Sequence, residues 1–124
     1  PVTKYAAGQG ERYQGEPYAL AGDVYANPAC PGRVGWSQYT GSAGWLYTAV
    51  LHGLLGLCPQ GERLELHPHL PRDWNGFKLR ITLRHTPLTI CAQRGENALL
   101  VDGQPSPWVP LDGVPHDVRL MVSL

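Results

Sequence analysis

Between Phe77 and Arg84, apolar and polar residues alternate without a break: Phe77, Leu79, Ile81 and Leu83 against Lys78, Arg80, Thr82 and Arg84. A period of two puts all four apolar side chains on one face of an extended strand, and that face needs a partner layer to leave water. The same period runs through most of the chain after Pro59. Leu64 and Leu66 alternate with Arg63, Glu65 and His67, and Leu88, Ile90 and Ala92 resume after a break at Thr86-Pro87. Leu99 and Val101 lead into Asp102-Gly103, a hairpin-type turn, and Val118, Leu120 and Val122 finish the chain. Five strands separated by turn signals predict an antiparallel sheet with one face packed and one wet.

Before Pro59 the pattern is different. Residues 1–15 are polar and predict irregular structure. Glu16-Pro17 opens EPYALAGDVYA, where Tyr18, Ala21 and Tyr25 fall at helical spacing and Pro17 suits a first helical turn. The run NPACPGRVGW, with two prolines and two glycines, reads as a loop. A stronger helix is predicted over Gly41–Leu57, where Trp45, Leu46, Ala49, Val50, Leu54 and Leu57 form one wide apolar face. Thr40 or Ser42 would cap its start, and Gly56 with Pro59 would close its end. His52 lies in this helix, as either a hydrogen-bonded structural group or a catalytic one. The chain therefore divides into residues 1–58 and 59–124.

Charge and cysteine usage narrow the function. Ten Lys/Arg balance ten Asp/Glu, so the chain lacks the concentrated positive surface that nucleic acid or an anionic membrane requires. Cys30, Cys58 and Cys91 are odd in number and widely spaced, which predicts reduced thiols and neither a disulfide framework nor a zinc site. The first residues carry no signal-peptide pattern, and the longest apolar stretch, Ala43–Leu57, is interrupted by His52 and falls short of the ~18 residues of a membrane span. A cytoplasmic protein without metal or organic cofactor is expected.

The densest unusual stretch is GRVGWSQYTGSAGW, Gly32 to Trp45. A glycine-rich loop runs there into a helix start, with Thr40 and Ser42 at the junction. Unpaired N–H groups and the positive end of the helix dipole make such a junction able to hold an anion. It is no phosphate loop of the Gly-Lys-Ser/Thr kind, and no strand precedes it as a dinucleotide site demands. An anion site and a plain helix start packed under aromatics both fit.

The run GEPYALAGDVYANPACPGRVGWSQYTGSAGWLYTAVLHGLLGL resembles the C-terminal barrel segment of glycoside hydrolase family 94. That family contains cellobiose and chitobiose phosphorylases and the phosphorylase-like part of cyclic β-1,2-glucan synthases. Its usual form is EPY, a D-x-Y-x-N-P stretch, then GRGGWTWYTGSAGWMY. The following GERLELHPHLPRDWNGFKLRITLRHTPLTI is similar to the family's P-x-x-W-x-G-[FY] approach to its C-terminal β domain. The resemblance spans about Glu16 to Ile90. It implies an α+β chain: the last helices of an (α/α)6 barrel in residues 1–58, then an antiparallel β-sandwich-like domain in residues 59–124. A whole barrel does not fit, because twelve helices of about 11–12 residues need more than about 130 residues.

The implied chemistry is inverting phosphorolysis of β-glucosidic bonds, with inorganic phosphate as co-substrate in place of water. The Thr-Gly of YTGSAGW carries over as the phosphate contact to Thr40 and Gly41, while Trp36 and Tyr39, like Trp45, read either as core at the helix entry or as a substrate-side face that stacks on sugar. No residue here matches the family's general-acid Asp or its phosphate-site Arg and His. The segment alone is therefore expected to be inactive and to need an upstream barrel segment, with a β-linked glucan or disaccharide as the other partner and self-association left open. The alternatives are a stand-alone β-sandwich carbohydrate-binding or interaction module, and an inactive remnant. Three departures stand in the motif: Val34 for Gly, Ser37 for Thr and Gln38 for Trp. Asp23 and Glu16 read as hydrogen-bonding partners ahead of acids, Arg33 as structural or solvated, and Asp73-Trp74-Asn75-Gly76 as a turn.

Overall fold

A computed structural model describes residues 6–123, which form two compact units divided between Thr48 and Ala49. The division follows Thr48, so residues 49–58 group with the strand-rich part of the chain. Among the described residues no helix is long and apolar enough to cross a membrane.

The first unit is mostly loop. Of the polar N-terminal stretch, residues 1–5 lie outside the described residues. The remainder is not wholly irregular, because one helical turn, α1 (Gly10–Tyr13), buries Tyr13. The helix expected over EPYALAGDVYA is absent. Residues 21–37 instead double back as a loose antiparallel ladder, with bridges Ala21↔Ser37 and Val24↔Val34. The turn at Asn27–Cys30, where Asn27 Oδ1 accepts the Ala29 N–H, reverses the chain. That reversal lets Gly22 donate to the Trp36 carbonyl and Tyr25 to that of Arg33. A short isolated helix is marginal in water, and its supposed apolar face is not buried: Tyr18 is 84% exposed and Tyr25 41%. Cross-chain partners won over local spacing.

The long helix predicted over Gly41–Leu57 is two pieces. The α-helix α2 spans Thr40–Thr48, and a π-helical segment covers Ala49–Leu54, with the Leu55 N–H reaching back five residues to Val50. Thr40 is the first helical residue, and the cap position before it is held by Tyr39. Gly56, in the left-handed region at φ 70°, ends the segment, and Leu57 already belongs to a strand.

Among the described residues of the second unit, eight strands form two sheets: β1 (Leu57–Gln60), β2 (Arg63–Leu66), β3 (Gly76–Leu83), β4 (Thr86–Arg94), β5 (Ala98–Val101), β6 (Gln104–Pro105), β7 (Val109–Pro110) and β8 (His116–Val122). One sheet has the order β1-β2-β7 and the other β3-β4-β8-β5-β6. Their inner faces share one core, built on Leu57, Leu64 and Val109 from the small sheet and Leu88, Ile90, Val118 and Leu120 from the large one. Burying each such side chain stabilises by roughly 1.5–3 kcal/mol. The result is sandwich-like and mostly β, as the alternation requires.

The sheet is not purely antiparallel, which corrects the expectation. β4 and β8 run parallel, Leu88 beside His116 through Arg94 beside Val122. Hairpin neighbours pair antiparallel because a tight turn allows nothing else, whereas β8 returns to β4 only after the chain has visited the other sheet through β7. The break also lies elsewhere than Thr86-Pro87. The two-residue turn is Arg84-His85, both at positive φ, and Thr86 and Pro87 already pair with Leu83 and Thr82. Asp102 (φ 52°) and Gly103 (φ 82°) make the expected hairpin turn between β5 and β6.

Candidate functional site

The glycine-rich loop reaches α2 through a strained residue. Gln38, at φ 61°, is left-handed, a position that costs a non-glycine residue of order 1–3 kcal/mol. Its flanks are pinned. Ser37 Oγ donates to Glu16 Oε2 at 2.5 Å, and that bond holds the Glu16 carboxyl below the usual carboxylate range. Asp23 Oδ1 accepts the Trp36 N–H at 2.9 Å, so Asp23 clamps the loop. The three departures from the family motif thus have local jobs. Val34, 8% exposed, lies against Gly15 and Tyr13; Ser37 holds Glu16; Gln38 makes the bend.

Beyond the bend, Thr40 and Gly41 are the first two residues of α2 and both are exposed. Ser42 donates its N–H to the Tyr39 carbonyl at 3.1 Å. The N–H groups of Thr40 and Gly41, and the Thr40 hydroxyl, meet no protein partner among the described residues. A Cβ added at Gly41 would meet open space. Trp36 and Tyr39 stack beside this start, with ring centroids 6.4 Å apart and planes 30° from parallel. Tyr39 rests on Gly22, where a Cβ would strike its ring at 2.3 Å.

The aromatic surface of this unit is largely open. Trp36 is 65% exposed, Trp45 68%, Tyr47 64% and Tyr39 51%, and no residue of α2 is buried. Exposed apolar surface on this scale marks an interface or a ligand face. The 124-residue chain is therefore expected to bind hydrophobic dyes and to self-associate. A monodisperse monomer with no dye signal, in light scattering and fluorescence, would refute it.

Two polar clusters of the second unit escaped the sequence reading. Arg94, at the end of β4, donates from Nε to the Trp74 carbonyl at 2.5 Å and from Nη2 to those of Pro71 and Arg72, each at 2.8 Å. The Asp73–Gly76 turn is thus wrapped on a guanidinium. His116, at the start of β8, sits between two carboxylates, Nδ1 2.7 Å from Asp102 Oδ2 and Nε2 3.0 Å from Asp112 Oδ1. Its side chain is only 9% exposed. Burial pulls its pKa down, but the hydrogen bonds to Asp102 and Asp112 outweigh that and raise it. Asp102 is lowered chiefly by His116, and Asp112 by the Val114 N–H and then His116.

His52 is structural in its contacts: its Nδ1–H donates to the Leu57 carbonyl at 2.6 Å. Cys30, Cys58 and Cys91 are free thiols. No group of His, Cys, Asp and Glu suited to a metal occurs among the described residues.

Residues 57–105 match the family model for the C-terminal domain of glycosyl hydrolase family 65. The chain is 43% identical over 84 residues to the cyclic β-(1,2)-glucan synthase NdvB of Rhizobium meliloti, covering 68% of this chain and 3% of that protein. It is 29% identical over 120 residues to a solabiose phosphorylase of Paenibacillus borealis, covering 85% of this chain and 15% of the relative. A cellobionic acid phosphorylase of Neurospora crassa is 35% identical over 69 residues, 53% of this chain and 9% of the relative. The chain thus spans only a small part of the length of each curated relative it matches.

Proposed function

On the premise that this chain is a C-terminal region of the glycoside hydrolase family 94 type, we propose that it forms part of a carbohydrate phosphorylase-type enzyme and contributes half of its phosphate site. In this reading the first unit belongs to the end of the helical catalytic barrel and the strands from Leu57 onward form the β domain. The enzyme phosphorolyses a β-glucosidic bond with inversion, and the general acid comes from a part of the protein outside this chain.

The observation that carries the reading is the open start of α2. Two backbone N–H groups and one hydroxyl, from Thr40 and Gly41, stand there without a protein acceptor among the described residues. The helix dipole adds positive potential at the same point. An anion placed there gains charge-assisted hydrogen bonds, and phosphate, already an anion, needs positioning more than activation. The stacked pair Trp36–Tyr39 offers a flat apolar face of the kind that takes a sugar ring.

The test uses the full-length protein, assayed for phosphate-dependent cleavage of β-linked disaccharides and glucans. Thr40→Val removes one hydrogen bond to a charged group, about 1.5–3 kcal/mol, so phosphate affinity is expected to fall about 10- to 150-fold. Thr40 is exposed and its hydroxyl has no protein partner, so the melting temperature should barely move. Thr40→Ser keeps the hydroxyl and should keep the phosphate KM. Unchanged phosphate dependence in Thr40→Val would defeat the assignment and leave this segment a binding or structural module.

A further inference from the structure

The Asp102–His116–Asp112 cluster belongs to no part of the proposed phosphate chemistry. It joins three separate pieces of backbone: the β5–β6 turn, the loop 111–115, and the start of β8. Both ring nitrogens face carboxylate oxygens, which only accept, so both must carry a proton for both contacts to exist. That requires the imidazolium, held with its side chain 9% exposed.

We propose that His116 is a proton-operated clasp for the loop 111–115, closed when the ring is charged and opened on the Asp112 side when one proton leaves. A neutral imidazole keeps one N–H. The Asp102 side retains it, because that contact is the shorter and Asp102 Oδ1 is further fixed by the Asp117 N–H at 2.9 Å. Nε2 then turns a lone pair toward Asp112 Oδ1, and the contact becomes repulsive. Asp112 Oδ1 is also the acceptor of the Val114 N–H at 3.0 Å, so moving the carboxylate undoes the turn that shapes the loop. Two anchors remain: the Gly113 N–H on the buried Thr86 hydroxyl at 2.8 Å, and Leu111 in the core with its N–H on the Glu62 carbonyl. The loop loosens at one point without being shed.

The groups around the ring support this division. The turn supplies Asp102 and the loop supplies Asp112. β8 itself supplies the Asp117 N–H. From β4, His116 is registered beside apolar Leu88, and the surface hollow at its flank is lined by Thr89 and by Arg80 and Thr82 of β3. Arg80 is the one cation among these neighbours, and the groups that bond the ring are the carboxylates of Asp102 and Asp112, so they favour the closed form. The raised His116 pKa puts the linked stability fully in place below the free-imidazole value of about 6.5, and it is lost as pH rises through the folded value. The lowered Asp102 and Asp112 act oppositely: their share is present above about 3.8 and is lost as pH falls through their folded values.

The experiment is a pH titration of the 124-residue chain by NMR, following the His116 ring carbons, the backbone amides of Gly103, Gly113 and Val114, and their hydrogen exchange. The His116 midpoint should lie above about 6.5, with the Val114 amide shifting at the same midpoint and Gly103 staying still. Val114 exchange should rise about tenfold beyond its intrinsic increase with pH, the scale of one lost hydrogen bond. Asp112→Asn, at an exposed position that leaves the core untouched, should lower the His116 midpoint and abolish the linked step at Val114. A His116 midpoint at or below the free value, or a Val114 amide indifferent to it, would overturn the clasp. So would an equal step at Gly103, which would show both arms opening together.

Discussion

Gly56→Ala is expected to cost the second unit about 4 kcal/mol or more, a large share of the roughly 5–15 kcal/mol that holds an ordinary domain folded. At φ 70° a Cβ already brings about 1–2 kcal/mol of left-handed strain. The larger part is contact. The added carbon would lie 2.0 Å from the His67 carbonyl carbon, 2.1 Å from its oxygen and 2.4 Å from the Pro68 nitrogen, all backbone atoms that no rotamer can move aside. Relieving the clash separates His67 and Pro68, just after β2, from the residue before β1. That breaks the His67 N–H bond to the Gly56 carbonyl and strains the pairing of Leu57 with Leu66, both core residues. Gly61→Ala is the control. It has φ 60°, nearly the same strain, but nothing within 4 Å of a new Cβ. Urea unfolding midpoints separate the two: Gly61→Ala should lose only the strain of about 1–2 kcal/mol, and equal losses would show that close approach at Gly56 is not what demands glycine.

What the sequence disclosed followed from how local each signal is. Phe77–Leu83, Leu88–Ala92 and Val118–Val122 are strands because alternation within one segment already separates two faces. Asp102-Gly103 is a hairpin because its two residues tolerate positive φ. The parallel partner of β4 was not legible, since pairing across a crossover leaves no mark in either strand. The helix expected at Tyr18, Ala21 and Tyr25 failed for a related reason. Its spacing is local, but its backbone groups are satisfied by Arg33 and Trp36, more than a turn of chain away. The start of α2 was legible within a residue, through the glycines and hydroxyls adjacent in sequence at Thr40–Ser42. The His116 cluster was not, because its carboxylates lie fourteen and four residues away on two different turns.

Arg94 did leave a mark, and the second large effect follows from it. Thr86, Leu88, Ile90 and Ala92 are the inward row of β4, and the period of two places Arg94 next in that row. An arginine at the end of a core-facing row has to find acceptors where apolar partners would otherwise stand. It finds three carbonyls, from Pro71, Arg72 and Trp74, and its own N–H donates to Asn75, so residues 71–75 are folded around one side chain. Hydrogen bonds to a charged donor contribute about 1.5–3 kcal/mol each and do not add fully. Nη1 works against them, being buried with no partner. Arg94→Met is therefore expected to destabilise by about 3–4 kcal/mol net. Arg94→Lys should recover only part of this, because one ammonium cannot span three carbonyls in the plane that a guanidinium holds. The measurement pairs urea unfolding with limited trypsin digestion, since Arg72 is itself a cleavage point inside the wrapped segment. Arg94→Met should expose Arg72 to early cutting under conditions where the unsubstituted chain resists. A loss below about 1 kcal/mol, with Arg72 still protected, would mean that the turn holds its shape through Gly76 and the Trp74 N–H bond to Pro71 alone. The guanidinium would then be a passenger on β4 and not the post on which the turn is wound.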